Sequence, residues 1–177
     1  DVSGSMTCGD ISGISGLTPR VGSAAMALVT AATEKHHHFV GFTSGSAGFG
    51  GKWGGGTSGI TPIGISPRQR LDDAVAEIAR LPMGGTDCAL PMIWAAENGI
   101  DVDTFCVYTD NETWAGKVHP AQALRAYRQA RGIPAKLVVV GMTSTGFSIA
   151  DPQDAGMIDV VGFDTSTPPV IADFARA

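Results

Sequence analysis

The stretch AKLVVVGM, residues 135–142, constrains the fold more than any other part of the chain. It is a near-continuous apolar run, typical of a strand covered on both faces inside a parallel sheet. Helical and strand patterns alternate around it. TPRVGSAAMALVTAATEK predicts a helix capped by Thr18, with Pro19 in its first turn. Val21, Ala24, Ala25, Leu28, Val29 and Ala32 repeat at helical spacing and predict its inner face. HHFVGFT reads as a strand. SPRQRLDDAVAEIARL reads as a helix capped by Ser66 with Pro67 behind it, its inner face formed by Leu71, Ala74, Val75, Ile78 and Leu81. GGTDCALPMIWAAENG is a turn, a short helix and a Gly99 stop. TFCVYTDN is an apolar strand ending in an acid. HPAQALRAYRQARG is a helix with Pro120 near its start and Gly132 past its end, IDVVGFD a last strand, and PPVIADFARA a closing helix. This alternation predicts an α/β fold: a doubly wound, mostly parallel sheet with helices on both faces. In such sheets ligands sit beyond the C-terminal ends of the strands.

The chain has 177 residues, 44% hydrophobic and 16% charged, which suits one domain with one core. No apolar run approaches the roughly 20 residues of a membrane helix. No signal peptide is visible, and the first residue is not Met. A net charge of −5 argues against a nucleic-acid surface made by counterion release. Arg125, Arg128 and Arg131 form one helical stripe, read as a solvated face, with an RNA-facing stripe as the alternative. Cys8, Cys88 and Cys106 are an odd number in no metal spacing; Cys106 is expected to be buried, and the set fits a reduced, cytoplasmic setting. Residues 44–64 are Gly-rich and read as a flexible loop.

The chemistry collects at the predicted strand ends. Asp1, Ser3 and Ser5 are two residues apart, so on an extended loop they point the same way. Thr86 follows the turn GGT, and Asp110 ends the strand FCVYTD. These five residues offer hard oxygen ligands, with water filling the rest of an octahedral shell, which suits Mg²⁺ or Mn²⁺. Asp87 is expected at most in the outer shell. So few carboxylates leave a bound cation electropositive, able to accept an acidic group from a protein ligand rather than to drive hydrolysis.

This constellation resembles the metal-ion-dependent adhesion site of von Willebrand factor A domains. Asp1, Ser3 and Ser5 match the first loop, Thr86 the second and Asp110 the third. LPMGGTDCALPMIWA, FCVYTDNETWAGKVHPAQALRAYR and IPAKLVVVGMTSTGFSIADPQDAGMIDVVGFDTS are similar to the A domain of the Ro ribonucleoprotein (TROVE-module) family. The resemblance covers the chain almost throughout and implies a Rossmann-like A domain over residues 1–177. Family members are intracellular and lack enzyme activity of their own. They bind noncoding Y RNAs and the ends of misfolded RNAs, and can serve exoribonucleases in RNA quality control. Their RNA surface lies mainly on a ring of helical repeats that precedes the A domain. The alternative is a free-standing or surface adhesion-type A domain that binds a protein ligand through Mg²⁺. No membrane partner is expected.

The chain opens on DVSGSM with no strand before the metal loop, whereas A domains lead into that loop with a central strand. That first strand is therefore expected to be missing. SAGFGGK lacks the Gly and Ser/Thr positions of a phosphate-binding loop. His36, His37 and His38 are read as a solvated helix end and strand start, and His119 as a helix-start residue. Asp1 as a phosphatase nucleophile would need a second Asp where Ser3 stands. Trp94 is expected in the core. Trp114, beside the metal loop, reads as a packed indole, with partner contact as the alternative.

Overall fold

A computed structural model describes residues 1–44, 59–110, 116–143 and 149–177. Lys136–Gly141 forms strand β4, flanked in parallel by β3 (Thr104–Thr109) and β5 (Met157–Val161). Leu137 through Val140 are wholly enclosed. The reason is the alternation of side chains across a strand. Leu137 and Val139 enter one cluster with Met92, Leu124 and Tyr127, while Val138 and Val140 enter another with Ile11 and Met142. The sequence expectation of a strand covered on both faces is met.

Helix α3 (Leu90–Glu97) and helix α4 (Pro120–Arg131) cover the first of those faces. Tyr127 ties α4 to the segment before β3: its hydroxyl donates to the Ile100 carbonyl (2.8 Å) and accepts from the Val102 N–H (2.7 Å). Its ring meets Phe105 edge-on at 4.9 Å. His119 caps α4 reciprocally with Gln122, as a helix-start residue should, and Gly132 ends it at φ 68°, a conformation glycine adopts without a Cβ penalty. Helix α5 (Thr167–Arg176) lies on the other face through Ile171 and Phe174.

The rest of the chain builds a smaller unit. Helix α1 (Pro19–Thr33) packs on helix α2 (Leu71–Ala79) and on a two-stranded antiparallel sheet of β1 (Phe39–Phe42) and β2 (Ile60–Ile63). Among the described residues the strands thus form two sheets, one of two strands and one of three. A cleft of about 550 Å³ runs between them, lined by β1 on one side and β3 on the other.

Five expectations need correction. The Gly-rich segment is not loop throughout: Ile60–Ile63 pairs with β1, and only residues 45–58 lie outside the described part, taking SAGFGGK with them. Helix α2 starts at Leu71 rather than after Ser66, because the Ser66 carbonyl and hydroxyl are used in a local turn by the N–H groups of Gln69 and Arg68. Its acids Asp72 and Asp73 then fall in the first turn, where the helix dipole favours them. On α1 the buried residues include Gly22, Ala24, Met26 and Ala31, while Val29 and Ala32 are exposed. Cys106 is exposed rather than buried, since it opens on the cleft; the surrounding protein and Glu34 still push its thiol up to about 12. Trp94 is half-buried at the cleft wall rather than enclosed.

Candidate metal centre

Three segments meet at the C-terminal ends of β1 and β3. The first is the chain start. The Asp1 α-amino group donates to the Tyr108 carbonyl (2.9 Å), and the Val2 N–H donates to the Phe42 carbonyl (3.1 Å). These two bonds pin residues 1–2 to both strand ends and lead into a 3-10 helix at Gly4–Thr7. The second is the turn before α3. The Ser44 N–H donates to the Gly85 carbonyl (2.7 Å), and the Gly85 N–H returns to the Ser44 hydroxyl (3.0 Å), so the turn holding Thr86 is docked on the end of β1. The third is Asp110, directly after β3.

Each predicted ligand can now be placed. The Asp1 carboxylate is held at both oxygens, by the Ser3 N–H (2.8 Å) and by the Thr109 hydroxyl (2.8 Å). The Ser3 and Ser5 hydroxyls lie 3.0 Å apart, Ser3 buried and Ser5 exposed. Thr86 and Asp110 are buried. Asp110 is linked to Asp1 through the Thr109 hydroxyl, which also reaches Asp110 Oδ1 at 3.4 Å. Asp87 turns toward α3, where it accepts from the Ala89 N–H (3.1 Å). Gly116 comes so close to the Asp87 carboxylate that a Cβ there would overlap it. Trp114 lies outside the described residues.

Two supporting residues were not singled out from the sequence. Thr109, fully buried, donates its one hydroxyl proton to Asp1, with Asp110 Oδ1 at the longer 3.4 Å. Thr143 donates to the Asp110 carbonyl (2.6 Å) and fixes the backbone of that loop. The only sequence signal for Thr109 is its place before the strand-terminal acid, in TD.

The donor set fits a small hard cation. Carboxylate and hydroxyl oxygens are the ligand types such a cation takes, and the Ser3 and Ser5 hydroxyls hydrogen-bond to each other at 3.0 Å. Hydrogen bonds to ligand carboxylates of the kind Asp1 receives hold such groups in place. Burial lowers the α-amino group from 8.0 to about 5, against the pull of Cys88 and Asp110. Burial also raises the Asp87 carboxyl, opposed by the Ala89 N–H. Among the described residues no group of three or more His, Cys, Asp and Glu side chains could hold a metal, so a site here has to draw on hydroxyls.

The arginine stripe on α4 is engaged elsewhere. Arg125 pairs with Asp151, Arg128 with Asp154 and Arg131 with Asp101. His36 and His38 are exposed, and His37 binds the Glu34 carbonyl, as a solvated helix end should.

A parallel α/β core with acid- and hydroxyl-bearing loops gathered at its strand ends defines a von Willebrand factor A-type domain. The chain belongs to the Ro60 vWA domain family, which matches residues 1–175. It is 51% identical over 176 residues to the RNA-binding protein RO60 of Deinococcus radiodurans, covering 99% of this chain and 30% of that protein. It is 38% identical to the RNA-binding protein RO60 of Caenorhabditis elegans, covering 98% of this chain and 25% of that one. The crystal structure of the Deinococcus radiodurans RO (RSR) protein superimposes with a TM-score of 0.84 at 50% identity, over 99% of this chain and 33% of that one. The chain therefore spans about a third or less of the relatives it matches.

Proposed function

We propose that this chain is the Mg²⁺-carrying, ligand-binding domain of a Ro-like RNA-binding protein. The observation that supports the reading is that Asp1 and Asp110 share the Thr109 hydroxyl, Ser3 and Ser5 lie on the Asp1 loop, and the turn holding Thr86 docks on the end of β1. When bound, a divalent ion would supply a positive centre for an acidic group of a protein ligand. This chain's part is to hold the oxygens: Thr109 orients the Asp1 carboxylate, and Thr143 steadies the Asp110 backbone.

Binding of noncoding and misfolded RNA is assigned to parts of the protein outside these 177 residues. The ion-paired arginines of α4 and the net charge of −5 support that division. Service to an exoribonuclease and a cytoplasmic setting belong to the same reading; an odd number of cysteines, Cys8, Cys88 and Cys106, suits a reducing compartment. The domain acts by binding, not catalysis: the Asp1 carboxylate is engaged by the Ser3 N–H and the Thr109 hydroxyl. Thermal unfolding with and without millimolar Mg²⁺ or Mn²⁺ tests the site. The expected result is a raised Tm in the wild type and no shift in Asp110→Ala. A wild type indifferent to both ions would sink the reading.

A further inference from the structure

A buried arginine without a partner stands at the start of α1. Arg20, the second residue of that helix, is 8% exposed. Its Nε is enclosed and makes no hydrogen bond, the single buried side-chain nitrogen or oxygen of that kind among the described residues. The ion pairs among those residues do not include it, and its Nη1 and Nη2 have no hydrogen-bond partner either. These two atoms are not enclosed, so the tip of the side chain reaches the surface from a recess. Buried charges in folded proteins are paired, since their desolvation is otherwise uncompensated. Burial with no acid opposite it holds this guanidinium below its ordinary value.

The surroundings explain why the nearby acids do not reach it. Arg20, Ala24, Ala27 and Ala31 recur at helical spacing on one row of α1. The three alanines pack in one cluster with Ala74 and Ile78 of α2. Gly22 abuts Ile11 and Met142, the residue after β4, so α1 starts at the end of the fold that carries the candidate metal centre. The turn after α2 docks at that same end, which leaves Asp72 and Asp73, in the first turn of α2, at the other. Glu77 is held by the Gly64 N–H (3.3 Å) and the Gln69 amide (3.0 Å), and Asp10 accepts from the Ser15 hydroxyl (3.3 Å). Glu34 caps the far end of α1.

The helix end adds to the demand for negative charge. A helix N-terminus favours anions and disfavours cations. Helix α1 has no acid in its first turn and carries Arg20 there instead. Helical side chains lean toward the N-terminus, so Arg20 leans into the positive end of the dipole. One anion at this point would neutralise both. The donors set its size. Pro19 has no N–H, the Val21 N–H is taken by the Thr18 hydroxyl (3.5 Å) and the Gly22 N–H by the Thr18 carbonyl (3.1 Å). That leaves the Nη1–Nη2 fork and the Arg20 N–H. A fork approached end-on matches the two oxygens of a carboxylate, whereas a phosphate presents more oxygens than these donors serve. The net charge of −5 argues against an RNA backbone as the source.

We propose that Arg20 is the receptor for one aspartate or glutamate side chain of a partner protein, bound end-on to Nη1 and Nη2 at the start of α1. The site needs no divalent ion, so this proposal and the metal reading can fail separately.

The probe is glutamate blocked at both ends, N-acetyl-glutamate methylamide, and its control is the glutamine equivalent. Arginine Nε–Hε and backbone amide signals in nitrogen–proton NMR spectra, without divalent ions, read the outcome. Arg20→Gln identifies the Arg20 signal. Blocked glutamate is expected to shift that signal and the Val21 amide saturably, at least about tenfold more tightly than the glutamine control. The β4 amides should stay in place, and Arg20→Gln should remove the Val21 shift. The glutamate–glutamine contrast is read on the wild type, so it stands even where Arg20→Gln unfolds. No saturable shift, an equal response to glutamine, or a Val21 shift that survives in Arg20→Gln overturns the proposal. Tighter binding of inorganic phosphate overturns it as well, because the site would then read phosphate. A full-length protein carrying this domain is expected to respond in the same way. If its Arg20 signal already sits at the bound position and ignores the probe, the proposal falls: Arg20 would be paired within its own protein.

Discussion

Strands β4 and β1 sit in neighbouring sheets but in opposite physical situations. Every side chain from Leu137 to Val140 is enclosed, and β4 has a partner strand on each side. In β1 only Gly41 and Phe42 are buried. Enclosure on both faces requires a partner for every backbone group as well as side-chain packing. The three-stranded sheet meets that requirement at its centre. Among the described residues the two-stranded sheet meets it on the side of β2. The candidate metal centre lies where the two units join, and residues 1–2 hold them together with one backbone bond to each.

The largest expected effect tests whether the cores differ as their enclosure suggests. Leu137→Ala should cost about 4 kcal/mol, near the upper end for a buried leucine, because well-packed neighbours on β3 and β5 leave little room to collapse. Ile78→Ala, in the smaller cluster beside the cleft, should cost about 2 kcal/mol. Urea unfolding of both variants checks this, and equal losses would break the contrast.

An intermediate effect concerns the ion pairs. The Arg128 guanidinium binds both oxygens of Asp154 (2.6 and 3.2 Å) and the Ala135 carbonyl (2.7 Å). Arg128→Ala should cost about 2 kcal/mol, the range for charged hydrogen bonds that are partly buried. Arg128 also holds the Asp154 carboxyl below its ordinary value, helped by the Gly156 N–H. A lowered folded-state pKa gives stability that is present above the unfolded carboxylate value and is lost as pH falls through the folded one. The wild type should therefore lose this contribution on acidification below the usual carboxylate range. Urea midpoints across that range should converge between wild type and Arg128→Ala.

The smallest effect lies on the other unit. Arg70 and Asp72 are 3.8 Å apart with both side chains more than four-fifths exposed. Arg70→Ala should change stability by less than about 0.5 kcal/mol, and less again in high salt. A loss matching that of Arg128→Ala would show that exposure does not separate the two pairs.

Signals confined to one segment were legible in advance. Helix α4 carries its own start in His119 and Pro120 and its own stop in Gly132. Strand β4 carries its burial in its composition. Strand β2 was not legible, because Ile60–Ile63 is short, contains Pro62 and follows a glycine-rich run; its identity depends on Phe39–Phe42, far back in the chain. The inner face of α1 was misjudged for a related reason. Periodicity reports an apolar stripe but not which of its residues the neighbouring elements cover: Met26 is buried and Val29 is 40% exposed. At the candidate site, Asp1, Ser3, Ser5, Thr86 and Asp110 could be named from spacing and from strand ends. Thr109 could not, since its role appears only when residue 1 meets residue 109.

Taken alone, the sequence determined the alternation of helices and strands, the doubly covered β4, and a set of hard oxygen donors at strand ends. These follow from side-chain period, local turn chemistry and residue type, which act over a few neighbours. The tertiary structure decided how the donors are oriented and that the arginines of α4 are neutralised by Asp101, Asp151 and Asp154. The physical reason is range. Hydrogen bonds and ion pairs between distant segments depend on where packing brings the chain together, and no local pattern encodes that meeting.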